Sequence, residues 1–261
     1  MSEGSPVGLV RGLMLVAYDR LGSLVLLNLV WDLAVFPWAL LSWLLLTTGI
    51  SFGETFGGQV ISIVLVPSSI LVLLSPPSLF LAIATQSWMR REPQDLRSCL
   101  RKTLSRLWKA QAVAVAVAVA AGVLVANAVL YQTRVADSDG PVFWLGLSMC
   151  GLMLWLLVGV LMLALYLFPA LTEKESDSLG MLLKRSLFLV FDNGLFSFGL
   201  LTTVGLLLIL AVLSGVGPFL GALPLIALIL NGAYLHLMRR YRDDPAPDDP
   251  RTYRDLLRPW D

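Results

Sequence analysis

Charge is what this 261-residue chain has least of: Asp, Glu, Lys and Arg together make 14%, against 57% hydrophobic residues. A water-soluble domain covers itself with roughly 25% charged residues, so soluble globular, disordered and fibrous classes are all excluded. Cysteine occurs only at Cys99 and Cys150, which leaves no disulfide framework. Histidine occurs once, at His236, so the paired His and Cys ligands of a tetrahedral metal site are missing as well. The chain also lacks a glycine-rich nucleotide fingerprint and a Gly-x-Ser-x-Gly nucleophile turn. No cofactor, no metal and no catalytic residue is therefore expected.

What the chain has is long apolar runs, at 21–46, 59–88, 110–131, 142–170, about 190–214 and 218–238. Each reaches the ~20 residues a helix needs to cross ~30 Å of hydrocarbon. In lipid the backbone must satisfy its own hydrogen bonds, so these runs are expected to be helices even where Ala112 to Val117 alternates like a strand. Charge placement orients them. Eighteen of the nineteen Lys and Arg fall before span one, in 89–109, in 171–189 or after span six, and only Arg134 lies on the other side. Basic residues concentrate on the cytoplasmic face. The expectation is an all-α transmembrane bundle of six spans with both ends inside. Residues 1–20 form a cytoplasmic or interfacial segment, 21–238 the membrane domain and 239–261 a flexible cytoplasmic tail. Trp88 and Trp108 flank the large basic loop, and Trp43 and Trp144 sit toward the outer ends, as interfacial aromatic belts do.

Several segments carry finer expectations. Arg11 precedes an apolar run with no small-x-small cleavage site, so the first span should stay attached. Residues 6–18 are too short to cross and read as an interfacial helix, with continuous extension of span one as the alternative. The second run is too long for one straight crossing. Pro67, Pro76 and Pro77 point to a kinked or broken helix rather than a seventh span. On the inner side, Glu92-Pro93 starts a surface helix with Leu96, Leu100, Leu104 and Leu107 at helical spacing, and Asp177-Ser178 caps another. The acidic, proline-rich 243–250 should be a hydrated linker.

Asp32 lies near the middle of span one, where a charged carboxylate is expensive. Asn28 is one turn earlier on the same face, and no Lys or Arg lies at matching depth. Two readings stand: a protonated acid that hydrogen-bonds a neighbouring helix, or a ligand or proton site. Asn127 and Asn231 read as helix-packing contacts, and the small residues of 110–122 as a close helix contact. His236 and Asp192 fall on the inner side as a conceivable pair, with Ser186 nearby in sequence, but spacing alone does not make a triad. Pro37, Pro67, Pro76, Pro77 and Pro224 interrupt several spans, either as simple kinks or as breaks that bind substrate. Gly49-x3-Gly53-x3-Gly57 surrounds Glu54 and reads as a flexible outer loop. Positive-inside topology accounts for the basic stretch 89–109 without nucleic acid; anionic lipid headgroups are its nearest partners.

At Tyr18-Asp19-Arg20-Leu21-Gly22 and Leu27-Asn28-Leu29-Val30-Trp31 the chain resembles the YesL-like family of bacterial integral membrane proteins of unknown function. Ser75-Pro76-Pro77, the basic segment before span three and Tyr166-Leu167-Phe168-Pro169 are similar as well. An apolar insertion between Pro37 and Pro76, and Asp32 in place of an apolar residue, depart from the pattern. Members often accompany carbohydrate transport systems. The resemblance thus implies an accessory role beside a transporter in the bacterial cytoplasmic membrane, and it supplies no catalytic residues. The chain is expected to be a non-enzymatic accessory or scaffold protein whose partners are lipids and either a transporter subunit or a second copy. The alternative is a small permease acting through Asn28 and Asp32. Reporter fusions should find both chain ends in the cytoplasm; an end on the outside breaks the six-span count.

Overall fold

A computed structural model of the chain describes residues 6–56, 60–90, 95–136, 139–173, 178–215 and 221–242. Regular structure among the described residues is helical throughout: α1 (Pro6–Asp19), α2 (Leu21–Ala34), α3 (Phe36–Phe56), α4 (Val60–Leu73), α5 (Pro76–Met89), α6 (Leu96–Ser105), α7 (Leu107–Ala136), α8 (Pro141–Glu173), α9 (Leu179–Asp192), α10 (Gly194–Ser214) and α11 (Ala222–Arg242). Helices α7, α8, α10 and α11 are each long and apolar enough to cross a membrane. Two bent pairs, α1 with α2 at 80° and α4 with α5 at 43°, bring the number of candidate spans to six when each pair counts as one.

The break expected in the second apolar run falls just before Pro76, where Ser75 is extended. Two consecutive prolines cannot donate backwards into α4 and push the preceding residue out of the helical region. They fit the first turn of a new helix. Pro67, by contrast, stays inside α4. Its ring lies against Gly122 of α7, where an added Cβ would stand 3.4 Å from Pro67 Cγ. Ala110, Ala114, Ala118 and Ala121 are buried along α7. The small-residue face therefore packs closely, as expected.

The first apolar run differs from its expectation. Rather than one helix over 21–46, it divides at Val35, whose carbonyl accepts from Trp38 and Ala39 and so starts α3. Pro37, the second residue of α3, has no N–H to continue α2, which explains the position of the break. Pro224 likewise sits in the first turn of α11 rather than interrupting it. Helix α1 is not a straight extension of α2, because the 80° bend separates them. It leans on the middle of α11, where Leu13 meets Gly232, and Leu15 is buried.

The glycine repeat also differs. Gly49 and Gly53 belong to α3 rather than to a loop, while Gly57 lies outside the described residues. A Cβ on Gly49 would come within 2.8 Å of Val64 Cγ2 on α4. The α3 and α4 backbones approach here because one side has no side chain. Helix α5 is the centre of the bundle: from Pro76 to Ser87 every residue but Ser78 is buried. A helix apolar on all sides belongs in the interior. It packs against α2, α6, α7, α8 and α11. The expected start of the inner surface helix, Glu92-Pro93, and the linker 243–250 lie outside the described residues; Ser178 does cap α9, accepting from the Met181 N–H at 3.3 Å.

Replacing Gly49 with Leu forces this contact open, at a cost of about 1–3 kcal/mol. The G49L protein should melt several degrees lower in detergent, and V64A on the same chain should recover part of the loss. An unchanged melting temperature would show that α3 and α4 are not held together here.

Candidate functional site

The expected pair at Asn28 and Asp32 forms. The Asn28 Nδ2 donates to Asp32 Oδ2 at 3.0 Å, one turn along α2. Leu24, Leu27, Asn28 and Trp31 make the buried stripe of this helix, so Asn28 faces the interior while Asp32 stays partly exposed. The breaks at Arg20 and Val35 leave Asp32 two residues from the end of a short helix rather than deep within a long one. That is the end where the helix dipole is negative, and Asn28 is the hydrogen-bond partner of Asp32 among the described residues. The next residue, Trp31, donates from Nε1 to Ser78 Oγ at 2.9 Å and ties α2 to the first turn of α5. This helix start makes a poor anion cradle, because Pro76 and Pro77 have no N–H and the Ser78 N–H is taken by the Ser75 carbonyl.

A larger polar assembly, which the sequence did not signal, surrounds the end of α8. The Arg106 side chain is buried at 6% exposure, and its Nη1 donates to the Leu171 and Thr172 carbonyls at 2.7 and 2.8 Å. The last carbonyls of a helix have no partner within it; here a guanidinium from the α6 to α7 junction supplies two bonds. The Thr172 hydroxyl covers the Pro169 carbonyl at 2.6 Å. Glu173 then gathers three further elements. Tyr234 of α11 donates to its Oε2 at 2.7 Å, Arg185 of α9 lies 3.5 Å from the same oxygen, and Arg90, after α5, lies 3.9 Å from Oε1. The Glu173 side chain is only 5% exposed, and two guanidinium groups and a hydroxyl face it there.

Other polar groups also join helices. Asn231, fully buried, donates to the Ala82 carbonyl at 2.7 Å and to Thr85 Oγ1 at 2.8 Å, the interhelical role expected of it. Asn127 instead donates back to Val123 on its own helix. Ser197 spends its proton on the Asn193 carbonyl, so the Tyr166 hydroxyl is the donor in the 2.8 Å bond between α8 and α10. Trp38 Nε1 reaches Gln111 Oε1 at 2.9 Å, and the Ser42 hydroxyl reaches the Ser68 carbonyl at 3.0 Å.

The conceivable Asp–His pair does not assemble. Asp192 accepts from the Tyr241 hydroxyl, while His236 stacks on Phe196 at 6.3 Å between ring centroids. Ser186 is fully buried and bonds to neither. Burial pushes the Cys99 thiol up, away from an activated thiolate. Among the described residues no cluster of three or more His, Cys, Asp or Glu is placed to hold a metal ion.

Comparison with family models, with curated proteins and with solved structures finds no match to this chain. The resemblance to the YesL-like family rests on the quoted residues alone.

Arg106 belonged to the basic count that sets topology, and its burial was not visible there. Its apolar neighbours Leu104 and Leu107 and the break at Arg106 hint at it only in retrospect. Replacing it tests the cap. R106Q loses charge-assisted bonds worth about 2–3 kcal/mol in total and should lower the thermal midpoint in detergent clearly; R106K should restore part of it. If R106Q melts with the parent, the α8 end is held by something else.

Proposed function

We propose that the protein is a non-enzymatic accessory or scaffold component of the bacterial cytoplasmic membrane, serving a solute transport system, with carbohydrate as the solute class to which the YesL-like resemblance points. The observation that carries this reading is the use to which the deep polar groups are put. Asn231, Tyr166, Ser197, Arg106 and Glu173 each bond between elements, which builds a fixed body rather than a path. Helix α10 favours a membrane partner as well: little of it is buried, and Leu195, Val212 and Leu213 are among the most exposed large apolar side chains of the described residues. Lipid, a transporter subunit or a second copy would cover that surface.

A permease acting through Asn28 and Asp32 is the second reading, favoured by a partly exposed acid beside bent and broken helices. The proline-closed start of α5 counts against it, since a substrate anion would find few N–H donors there.

Affinity purification in two mild detergents should recover the protein with a stable partner, and the pure protein in liposomes should move no sugar or amino acid. D32N keeps the acceptor for Asn28 and should leave both outcomes unchanged. Recovery as a lone species would undo the scaffold reading, and uptake abolished by D32N would replace it with the permease.

A further inference from the structure

The two inner helices α6 and α9 share a pattern that neither the spans nor the proposed role requires. Leu96-x3-Leu100-Arg101-Lys102-Thr103-Leu104 in α6 and Leu179-x3-Leu183-Lys184-Arg185-Ser186-Leu187 in α9 match position by position, 83 residues apart. Three leucines, two basic residues and one hydroxyl recur in the same order. The surroundings recur too. Each helix follows a candidate span, the bent α4–α5 pair or α8, and precedes another, α7 or α10. The residues at the equivalent place before each repeat, Arg90 and Glu173, touch each other at 3.9 Å. Units repeated in the same direction across a membrane are a recurring design.

Burial fixes how each helix is turned. In α6, Cys99 and Thr103 are buried; in α9 the matching Leu182 and Ser186 are buried. At 100° per residue, Leu96, Leu100 and Leu104 form the stripe next to that face, and Arg97 and Arg101 follow beyond it. The leucines are not covered: they are 57, 52 and 59% exposed, and Leu179, Leu183 and Leu187 are 42, 47 and 45% exposed. Arg101 and the matching Lys184, beyond the leucines, are exposed as well. One face is thus on the protein, the next is apolar and open, and the next is cationic. A helix lying in the membrane interface beside its own bundle has this order of faces. Trp108, 82% exposed just after α6, marks the same level.

From this repeated geometry we infer that α6 and α9 form a paired binding surface for anionic phospholipids of the cytoplasmic leaflet. The leucine stripes enter the upper acyl layer, while Arg101 of α6 and Lys184 of α9, on the face beyond the leucines, meet the headgroup phosphates. The occupant is a lipid surface rather than a protein. The exposed basic residues beside the open leucine stripes complement an anionic leaflet. Each basic residue at such a surface favours anionic over neutral lipid by about fivefold.

The full chain in nanodiscs of equimolar phosphatidylglycerol and phosphatidylcholine should retain phosphatidylglycerol preferentially when analysed by native mass spectrometry. R101Q/K184Q should weaken that preference by about fivefold for each residue neutralised, and R101K/K184R should keep it. Depth is read independently of charge. In a C99A/C150A background, an environment-sensitive fluorophore at L100C or L183C should report an apolar surrounding, and at S105C a hydrated one. Equal retention of the two lipids by the parent protein would overturn the inference. So would an unchanged preference in R101Q/K184Q, or a label at position 100 or 183 as hydrated as that at 105.

Discussion

The end of α8 is where the bundle meets its hardest requirement. A helix that has crossed hydrocarbon finishes with carbonyls that its own backbone cannot satisfy, and leaving them bare at a buried end costs free energy with nothing in return. Arg106 answers this with two bonds, to Leu171 and Thr172, and the Thr172 hydroxyl adds a third, to Pro169. A guanidinium suits the place because a single terminal nitrogen, Nη1, carries two N–H donors for two adjacent oxygens and the group stays charged when buried. Its positive charge also lies at the negative end of the helix dipole. Glu173 then adds a carboxylate one residue further on. It is stable there only because Tyr234, Arg90 and Arg185 converge on it. One helix end thereby fixes the relative positions of α5, α9 and α11 and of the junction between α6 and α7.

The rest of the bundle follows from how α5 is held. This helix has little surface of its own to offer water or lipid, since nearly all of it is buried. Its hydroxyls are turned back on its own carbonyls, Thr85 on Leu81 and Ser87 on Ala84, so they add no cost in the interior. Asn231 then uses the Ala82 carbonyl and the Thr85 oxygen to set the register of α11 against it. Trp31 reaches Ser78 from the other side. Hydrophobic burial does not discriminate between registers when lipid is as apolar as the partner helix; a few directional bonds and close glycine contacts do.

Much of this was legible in the amino acids, and the failures have physical causes. Run length located α7, α8, α10 and α11, because the bilayer imposes a minimum length on an apolar helix. The break at Pro76, the cap at Ser178, the small face of α7 and the Asn28–Asp32 pair each rest on local chemistry, and each is present. The break at Val35 was not seen. The run from Leu21 to Leu46 is apolar on both sides of it, and Pro37 marks only that a kink is near. Gly49 misled because glycines around a charged residue look like a loop; their role appears only when Val64 is found opposite. Arg106 and Glu173 were hidden for a different reason. A basic residue at a membrane boundary is already explained by topology, so its sequence position says nothing about whether the side chain faces water or the end of another helix.

That distinction bears on Asp32. An acid in an apolar run invites a functional reading because burying it is expensive, yet the expense depends on the surroundings rather than on the run. With α2 ending two residues later, the carboxyl is not enclosed by a continuous helix, and the Asn28 amide meets one of its oxygens. Glu173 sits in a tighter place, at 5% exposure, and is held by two arginines and a tyrosine. The two acids therefore solve the same problem differently. Glu173 faces two guanidinium groups and joins four elements; among the described residues Asp32 meets one neutral amide, on its own helix. An acid that locks helices together is costly to move, whereas one that bonds only within its own turn stays free to exchange partners. Of these two carboxyls, it is Glu173 on which the mutual placement of α5, α8, α9 and α11 depends.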